Sequence, residues 1–240
     1  MRLKSDSWLL TKPIAHRGLW GENIVENSLS AYQNAVEKGY PIEIDLYSSS
    51  DGVLFSFHDQ DLKRMTGAKG NIYDKTAKEL KSLKLVGCDQ SIPTFDEVLH
   101  LVNGKVPLLI ELKDQPNGDY VDKVVARLKN YKGEFAIQSF NPLFIKKVKK
   151  LAPEFIRGVL GTKTHGSGLP LLKRFIIKNM TFNFLIKPDF ISYSFEDLPL
   201  KKCKVKKLPI ITWTITNEKD YQKAKPFVKN IIFENFIPNK

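Results

Sequence analysis

Three short stretches hold the residues best suited to chemistry. Ala15-His16-Arg17-Gly18 follows a short apolar segment, Glu43-Ile44-Asp45 lies within an alternating one, and Glu111-Leu112-Lys113 closes the apolar run Leu108-Leu109-Ile110. In a strand, residues two apart point to the same face, so Glu43 and Asp45 share a face, as do Glu111 and Lys113. Carboxylates that close repel one another and raise each other's pKa unless a cation lies between them. Three of them without a cysteine suit a hard, oxygen-seeking divalent ion, calcium or magnesium, better than zinc. Alternating polar positions are also the ordinary outer face of a strand, and for Glu43 and Asp45 taken alone that alternative stands. Strands covered by helices, however, leave little water for an exposed carboxylate pair.

Two of the four histidines extend the pattern. His16 adjoins Arg17 and the flexible Gly18, and His58 sits in Phe57-His58-Asp59. An arginine binds phosphate through two parallel hydrogen bonds, and Lys113 adds a point charge. Histidine works as general acid or base near neutral pH. With a metal site, these groups form a kit for phosphodiester hydrolysis. His100, within a helical segment, and His165, in a glycine-rich loop, are read as structural or solvent-facing.

The elements that must position these groups alternate between strand and helix. The expected strands are 13–15, 41–47, 106–112, 135–140, 156–160, 190–195, 209–215 and 230–233, with a further short apolar run at 53–57. The expected helices are 27–38, with Asn27 or Ser28 as N-cap and Gly39 as stop, then 94–102 behind Thr94, 120–131, 142–151 with proline at its first position, and 219–227. Residues 59–91 are polar and irregular, with turns at Thr66-Gly67 and Lys69-Gly70 and a short helix near 76–83. A connection at 166–187 holds one apolar helix, and the crossover 196–207 is short and lysine-rich. Repeated β-α units of this kind predict a parallel sheet with helical covers, and the count of about eight core strands favours a TIM-type (β/α)8 barrel. No Gly-x-Gly-x-x-Gly follows the first strand and no P-loop occurs, which sets aside an open nucleotide-binding sheet. Such a barrel carries its site at the C-terminal ends of its strands, where these residues fall.

The 240 residues, 42% hydrophobic and 27% charged, suit a single folded domain over 1–240 with an insertion at about 47–91, and argue against a disordered chain. Cys88 and Cys203 form neither a zinc pattern nor a disulfide framework. The N-terminus has no leader-like apolar core, and no stretch approaches the ~20 apolar residues that span a bilayer, so a soluble cytoplasmic protein without stable membrane insertion is expected. The net charge is +12, with lysines clustered at 146–150 and 201–207. Those clusters lack interleaved aromatics and any nucleic-acid-binding signature, so they are read as solvated surface, not a nucleic-acid site. Their field would steer anionic substrates. The oligomeric state is not legible.

Taken in order, Ala15-His16-Arg17-Gly18, Glu26-Asn27-Ser28, Glu43-Ile44-Asp45, Asp51-Gly52 and His58-Asp59 resemble the fingerprint of the glycerophosphodiester phosphodiesterases. The likeness runs on through Leu62-Lys63-Arg64-Met65-Thr66-Gly67, residues 92–99 and Glu111-Leu112-Lys113, and more weakly through Gln138-Ser139-Phe140 and Trp213-Thr214. It implies a TIM-type barrel with a small subdomain inserted after the second strand, and hydrolysis of small-molecule glycerophosphodiesters, such as glycerophosphocholine or glycerophosphoethanolamine, to glycerol 3-phosphate and an alcohol. It further implies His16 and His58 as the acid/base pair and Glu43, Asp45 and Glu111 as ligands of a divalent ion. Arg17 and Lys113 match phosphate-binding positions, Asn27 a polar position near metal and phosphate, and Trp213 the glycerol end of the pocket. The chain departs from the pattern near its end, where Glu234 stands for a frequent aspartate and Asn217 follows the tryptophan motif one place late. Competing readings are a related phospholipase acting on intact lipids at a membrane surface and a non-catalytic anion-binding barrel.

Overall fold

The computed structural model describes residues 3–116, 120–163, 186–200 and 208–239. The chain divides into two compact units, Ala15–Phe135 and a second made of Met1–Ile14 with Ala136–Lys240.

In the first unit, strand β1 (Ile14–Ala15) pairs in parallel with β2 (Ile42–Ser48), and β2 pairs in parallel with β4 (Leu108–Leu112). The β2–β4 register sets Asp45 directly opposite Glu111 and Glu43 opposite Leu109. Helix α2 (Leu29–Lys38) joins β1 to β2. Its start is fixed by Ser28, whose hydroxyl accepts from the Ala31 N–H, and its end by Gly39 at φ 73°. Helix α5 (Phe95–Val102) has the reciprocal cap foreseen at Thr94: its side chain accepts from the Glu97 N–H while Glu97 reaches back to the Thr94 N–H. His100 is exposed on this helix.

The inserted segment follows β2. The run near 53–57 forms β3 (Leu54–Ser56), an antiparallel partner of β2. The turn at Gly52, φ 86°, folds the chain straight back, so β3 forms a hairpin with β2. Helix α3 (Lys63–Thr66), a 3-10 turn at Ile72–Asp74 and helix α4 (Ala77–Ser82) follow. Tyr47, Phe55, Phe57, Leu62, Met65, Ile72, Tyr73, Leu80, Leu85 and Ile92 form a hydrophobic cluster of the insertion's own, with Cys88 packed at its side. An apolar cluster of this size gives the short elements the stability that their length alone would not supply.

The second unit carries a parallel run. Strand β5 (Phe135–Ser139) pairs with β6 (Arg157–Gly161), β6 with β7 (Phe190–Ser194), β7 with β8 (Ile210–Ile215) and β8 with β9 (Asn230–Phe233). Helix α7 (Pro142–Leu151) starts as expected behind Asn141, with Lys146 and Lys150 exposed on it. The last helix, α8 (Glu218–Ala224), is shorter than expected, because Pro226 has no N–H with which to continue the helical hydrogen bonds. Helix α1 (Trp8–Thr11) was not foreseen. Asn230 holds it by donating to the Leu9 and Lys12 carbonyls at 2.9 and 2.6 Å. The expected apolar helix within 166–187, His165, Cys203 and the lysines at 201–207 lie outside the described residues, save Ile186 and Lys187.

Among the described residues, helix α6 (Val121–Lys129) stands between β4 and β5, and the strand order is β1-β9-β8-β7-β6-β5-β4-β2-β3, with β1 also beside β2. That is the topology of a TIM-type (β/α)8 barrel with β3 added. No helix among these residues is long and apolar enough to cross a membrane.

Candidate metal and phosphate site

The first unit brings together nearly all the residues singled out by type and spacing. One oxygen each of Glu43, Asp45 and Glu111 lies within 4.8 Å of the others, and all three side chains are buried. The cause is local: Glu43 and Asp45 share one face of β2, and the parallel register puts Glu111 opposite Asp45. The outer-face alternative for this pair falls, since Glu43 is 2% and Asp45 1% exposed.

Two cations bound the cluster. Lys113 Nζ lies 2.9 Å from Glu111 Oε1 and 3.3 Å from Asp45 Oδ1. Arg17 Nε lies 3.8 Å from Asp45 Oδ2, and the Arg17 N–H donates to Glu43 Oε2 at 3.1 Å. Burial pushes the Asp45 carboxyl up, but Lys113, His58, Arg17 and His16 together outweigh it and hold Asp45 well below the usual carboxylate range. Burial and then Asp45 and Glu111 drive Glu43 the other way, well above that range, against the pull of Arg17 and Lys113. Lys113 keeps its proton: burial disfavours the ammonium, but Glu111 and Asp45 raise it more.

These residues fit a hard divalent cation. The donors are all carboxylate oxygens, and Asp45 Oδ1 is buried with the Lys113 ion pair but no hydrogen bond.

The turn that presents His16 and Arg17 requires its glycine. Arg17 and Gly18 both take positive φ, 58° and 85°. A Cβ on Gly18 would lie 2.8 Å from Ala31 Cβ on α2. The His16 carbonyl accepts from the Trp20 indole at 2.9 Å, which pins the loop from the other side.

A second network reaches His58, and spacing did not disclose it. His58 Nδ1 lies 2.7 Å from Asp59 Oδ1. Arg64 donates to Asp59 through Nε at 2.5 Å and Nη2 at 3.0 Å, and to Glu26 through Nη2 at 2.6 Å. Glu26 also accepts from Arg17 Nη1 at 3.0 Å. Arg17, Glu26, Arg64, Asp59 and His58 thus form one chain of charge-assisted contacts. Burial opposes it, but His58 and Arg64 hold Asp59 far below the usual range, so it stays ionised. A pocket of about 320 Å³, walled in part by Trp20, Glu26 and Arg64, opens beside this chain. Glu26, Asp59 and Arg64 all stand in the sequence motifs quoted above; adjacency to His58 and Asn27 was the available signal for two of them.

Asn27 has φ 52° and donates from Nδ2 to Asp45 Oδ2 at 3.2 Å. Trp213 belongs to the second unit, on β8, with its ring edge-on to Phe140 at 5.7 Å between centroids.

The chain is similar to several known proteins. The family described as "Glycerophosphoryl diester phosphodiesterase family" matches residues 16–237. A glycerophosphodiester phosphodiesterase of Caldanaerobacter subterraneus subsp. tengcongensis is 30% identical over 94% of each chain. The crystal structure of a glycerophosphodiester phosphodiesterase from Parabacteroides distasonis superposes with a TM-score of 0.75 at 27% identity, covering 93% of this chain and 92% of that one. An Oleispira antarctica phosphodiesterase, solved in complex with the product sn-glycerol-3-phosphate, shares the fold with a TM-score of 0.80 at 23% identity, covering 94% and 93%.

Proposed function

The chain belongs to the glycerophosphoryl diester phosphodiesterase family and is an enzyme that hydrolyses glycerophosphodiesters, and we propose that it does so as a single barrel domain with a divalent cation on Glu43, Asp45 and Glu111. His16 and His58 act as the acid–base pair, and the products are glycerol 3-phosphate and an alcohol. The product held by the Oleispira antarctica neighbour supports that assignment of products. The buried carboxylate triad, with Asp45 Oδ1 met by the Lys113 charge but by no hydrogen bond, carries this reading.

When bound, calcium or magnesium supplies positive charge against the phosphate oxygens as negative charge builds on them. The protein's own groups do the rest. Asp59 accepts from His58 Nδ1, which leaves Nε2 with its lone pair facing outward as a base. Once His58 takes the proton of the attacking oxygen, either water itself or a glycerol hydroxyl whose cyclic phosphate water then opens, the ionised Asp59 stabilises the imidazolium. His16 then donates a proton to the departing alcohol oxygen, which avoids expelling an alkoxide. Arg17 Nε is buried without a hydrogen-bond partner and serves as a donor to a phosphate oxygen. Lys113, which neutralises Glu111 and Asp45 in the metal-free protein, adds its charge to the phosphate once a cation takes over that neutralisation.

The test is release of glycerol 3-phosphate from glycerophosphocholine and glycerophosphoethanolamine by EDTA-treated enzyme, before and after calcium or magnesium is added. Activity should vanish with EDTA and return with one of the ions. Undiminished turnover in EDTA would overturn the cation, and no glycerol 3-phosphate under any metal condition would overturn the products assigned.

A further inference from the structure

One group of buried polar residues around Asp45 has no part in the chemistry above. Asn27 Nδ2 lies 3.2 Å from Asp45 Oδ2, Asn27 Oδ1 lies 2.7 Å from the Tyr32 hydroxyl, and that hydroxyl lies 2.6 Å from Ser56 Oγ. All four residues are at most 2% exposed. Their donors and acceptors can be ordered from one end. A carboxylate only accepts, so the Asn27 amide must donate to Asp45 through Nδ2. Its Oδ1 therefore faces Tyr32 and must receive the Tyr32 proton. With that proton spent, the Tyr32 oxygen accepts from Ser56. Burial raises the Tyr32 hydroxyl well above its usual range, so the donor is always present. The result is a one-way relay: Ser56 to Tyr32 to Asn27 to Asp45.

The backbone makes this relay the support of a fixed point. Tyr32 stands one turn into α2, its N–H donating to the Ser28 carbonyl at 3.1 Å. Asn27 is held by its own N–H on the Arg17 carbonyl at 2.9 Å. Ser56 ends β3, and the next residue, Phe57, donates its N–H to the Asp45 carbonyl at 3.0 Å, immediately before His58. The amide of Asn27 has two orientations of equal shape, and the flipped one would aim Oδ1 at the Asp45 carboxylate and Nδ2 at the Tyr32 hydroxyl, losing both hydrogen bonds; the Tyr32 hydroxyl thus locks from one end the orientation that Asp45 requires at the other.

We propose that Tyr32 is a positioning residue of the cation site: its hydroxyl orients the Asn27 amide, which holds Asp45 Oδ2 and so turns Oδ1 toward the ion. This rests on the reading of Glu43, Asp45 and Glu111 as cation ligands. Partners of this kind, one contact behind a ligand, typically change metal affinity by roughly 10- to 100-fold when removed.

The experiment is calorimetric titration of metal-free protein with calcium or magnesium alone, with melting temperatures measured in parallel. Tyr32→Phe should weaken Kd roughly 10-fold or more, and Asn27→Ala should do the same. On the Asn27→Ala background, Tyr32→Phe should cause no further loss, since the two act through one contact. Ser56→Ala should cost less than either, because Tyr32 keeps its donor role. A Tyr32→Phe protein that binds the ion as tightly as wild type, whatever its melting temperature, overturns the inference. If Tyr32→Phe does not fold, unchanged affinity in Asn27→Ala overturns it equally. Wild-type protein that binds neither ion would instead overturn the cation site itself.

Discussion

Replacing Glu43 by glutamine should stabilise the protein without metal and destabilise it with metal. Two unit charges 4.8 Å apart repel by about 3.5 kcal/mol at an effective dielectric constant near 20. Burial first, and then the repulsion that ionised Glu43 meets from both Asp45 and Glu111, lift its carboxyl well above the usual range, and Arg17 and Lys113 return only part of it. Glutamine keeps the shape and can still accept from the Arg17 N–H, now at 3.1 Å. Removing the charge should therefore gain about 1–3 kcal/mol in metal-free protein at neutral pH. For a chain of this length that is roughly 2–12 °C in melting temperature. The pH dependence follows from the sign of the shift. The folded protein holds the Glu43 proton above the pH at which the unfolded chain releases it, so metal-free wild type loses stability as pH rises past the ordinary carboxylate range. Glu43→Gln removes that part of the slope. With metal at about 100 times Kd, wild type gains about 2.7 kcal/mol from binding, whereas the variant lacks a ligand and gains far less. Differential scanning fluorimetry with EDTA and with calcium or magnesium, across pH, reads all of this. A variant that melts below wild type in EDTA, or that keeps the full metal-induced rise, would refute the reasoning.

Asp59→Asn should lower kcat by roughly 100- to 10,000-fold with little change in KM, because the amide no longer fixes the His58 tautomer or stabilises the imidazolium; steady-state kinetics on glycerophosphocholine tests it. Arg64→Met should weaken the same contact by freeing Asp59, with a smaller loss of kcat and a measurable rise in the Asp59 pKa by NMR titration. Gly18→Ala should cost more than about 2 kcal/mol in chemical denaturation, since it combines a positive φ with a Cβ pressed onto Ala31.

What could be read in the sequence was whatever local chemistry decides. Ser28, Thr94 and Gly39 announce helix ends because their roles involve backbone groups within three or four residues. Glu43, Asp45 and Glu111 stood out because a carboxylate inside an apolar strand needs a reason, and side-chain alternation then puts Glu43 and Asp45 together. What was left open or misread shares the opposite cause. The direction of β3, on which the sequence was silent, depended on a tight turn at Gly52, and α8 stops early because of a proline that the apolar period alone does not weigh. The Arg64–Glu26 contact spans 38 positions and sits on an exposed helical turn of the insertion, so nothing in either residue's neighbourhood marks the other. Tyr32 is harder still. On the buried face of α2, its ring satisfies the helical period as any core aromatic would, and only the placement of one hydroxyl between an amide and a serine gives it work. A residue of that kind is visible only when the partners of its polar atom are known, because its apolar body already explains its position.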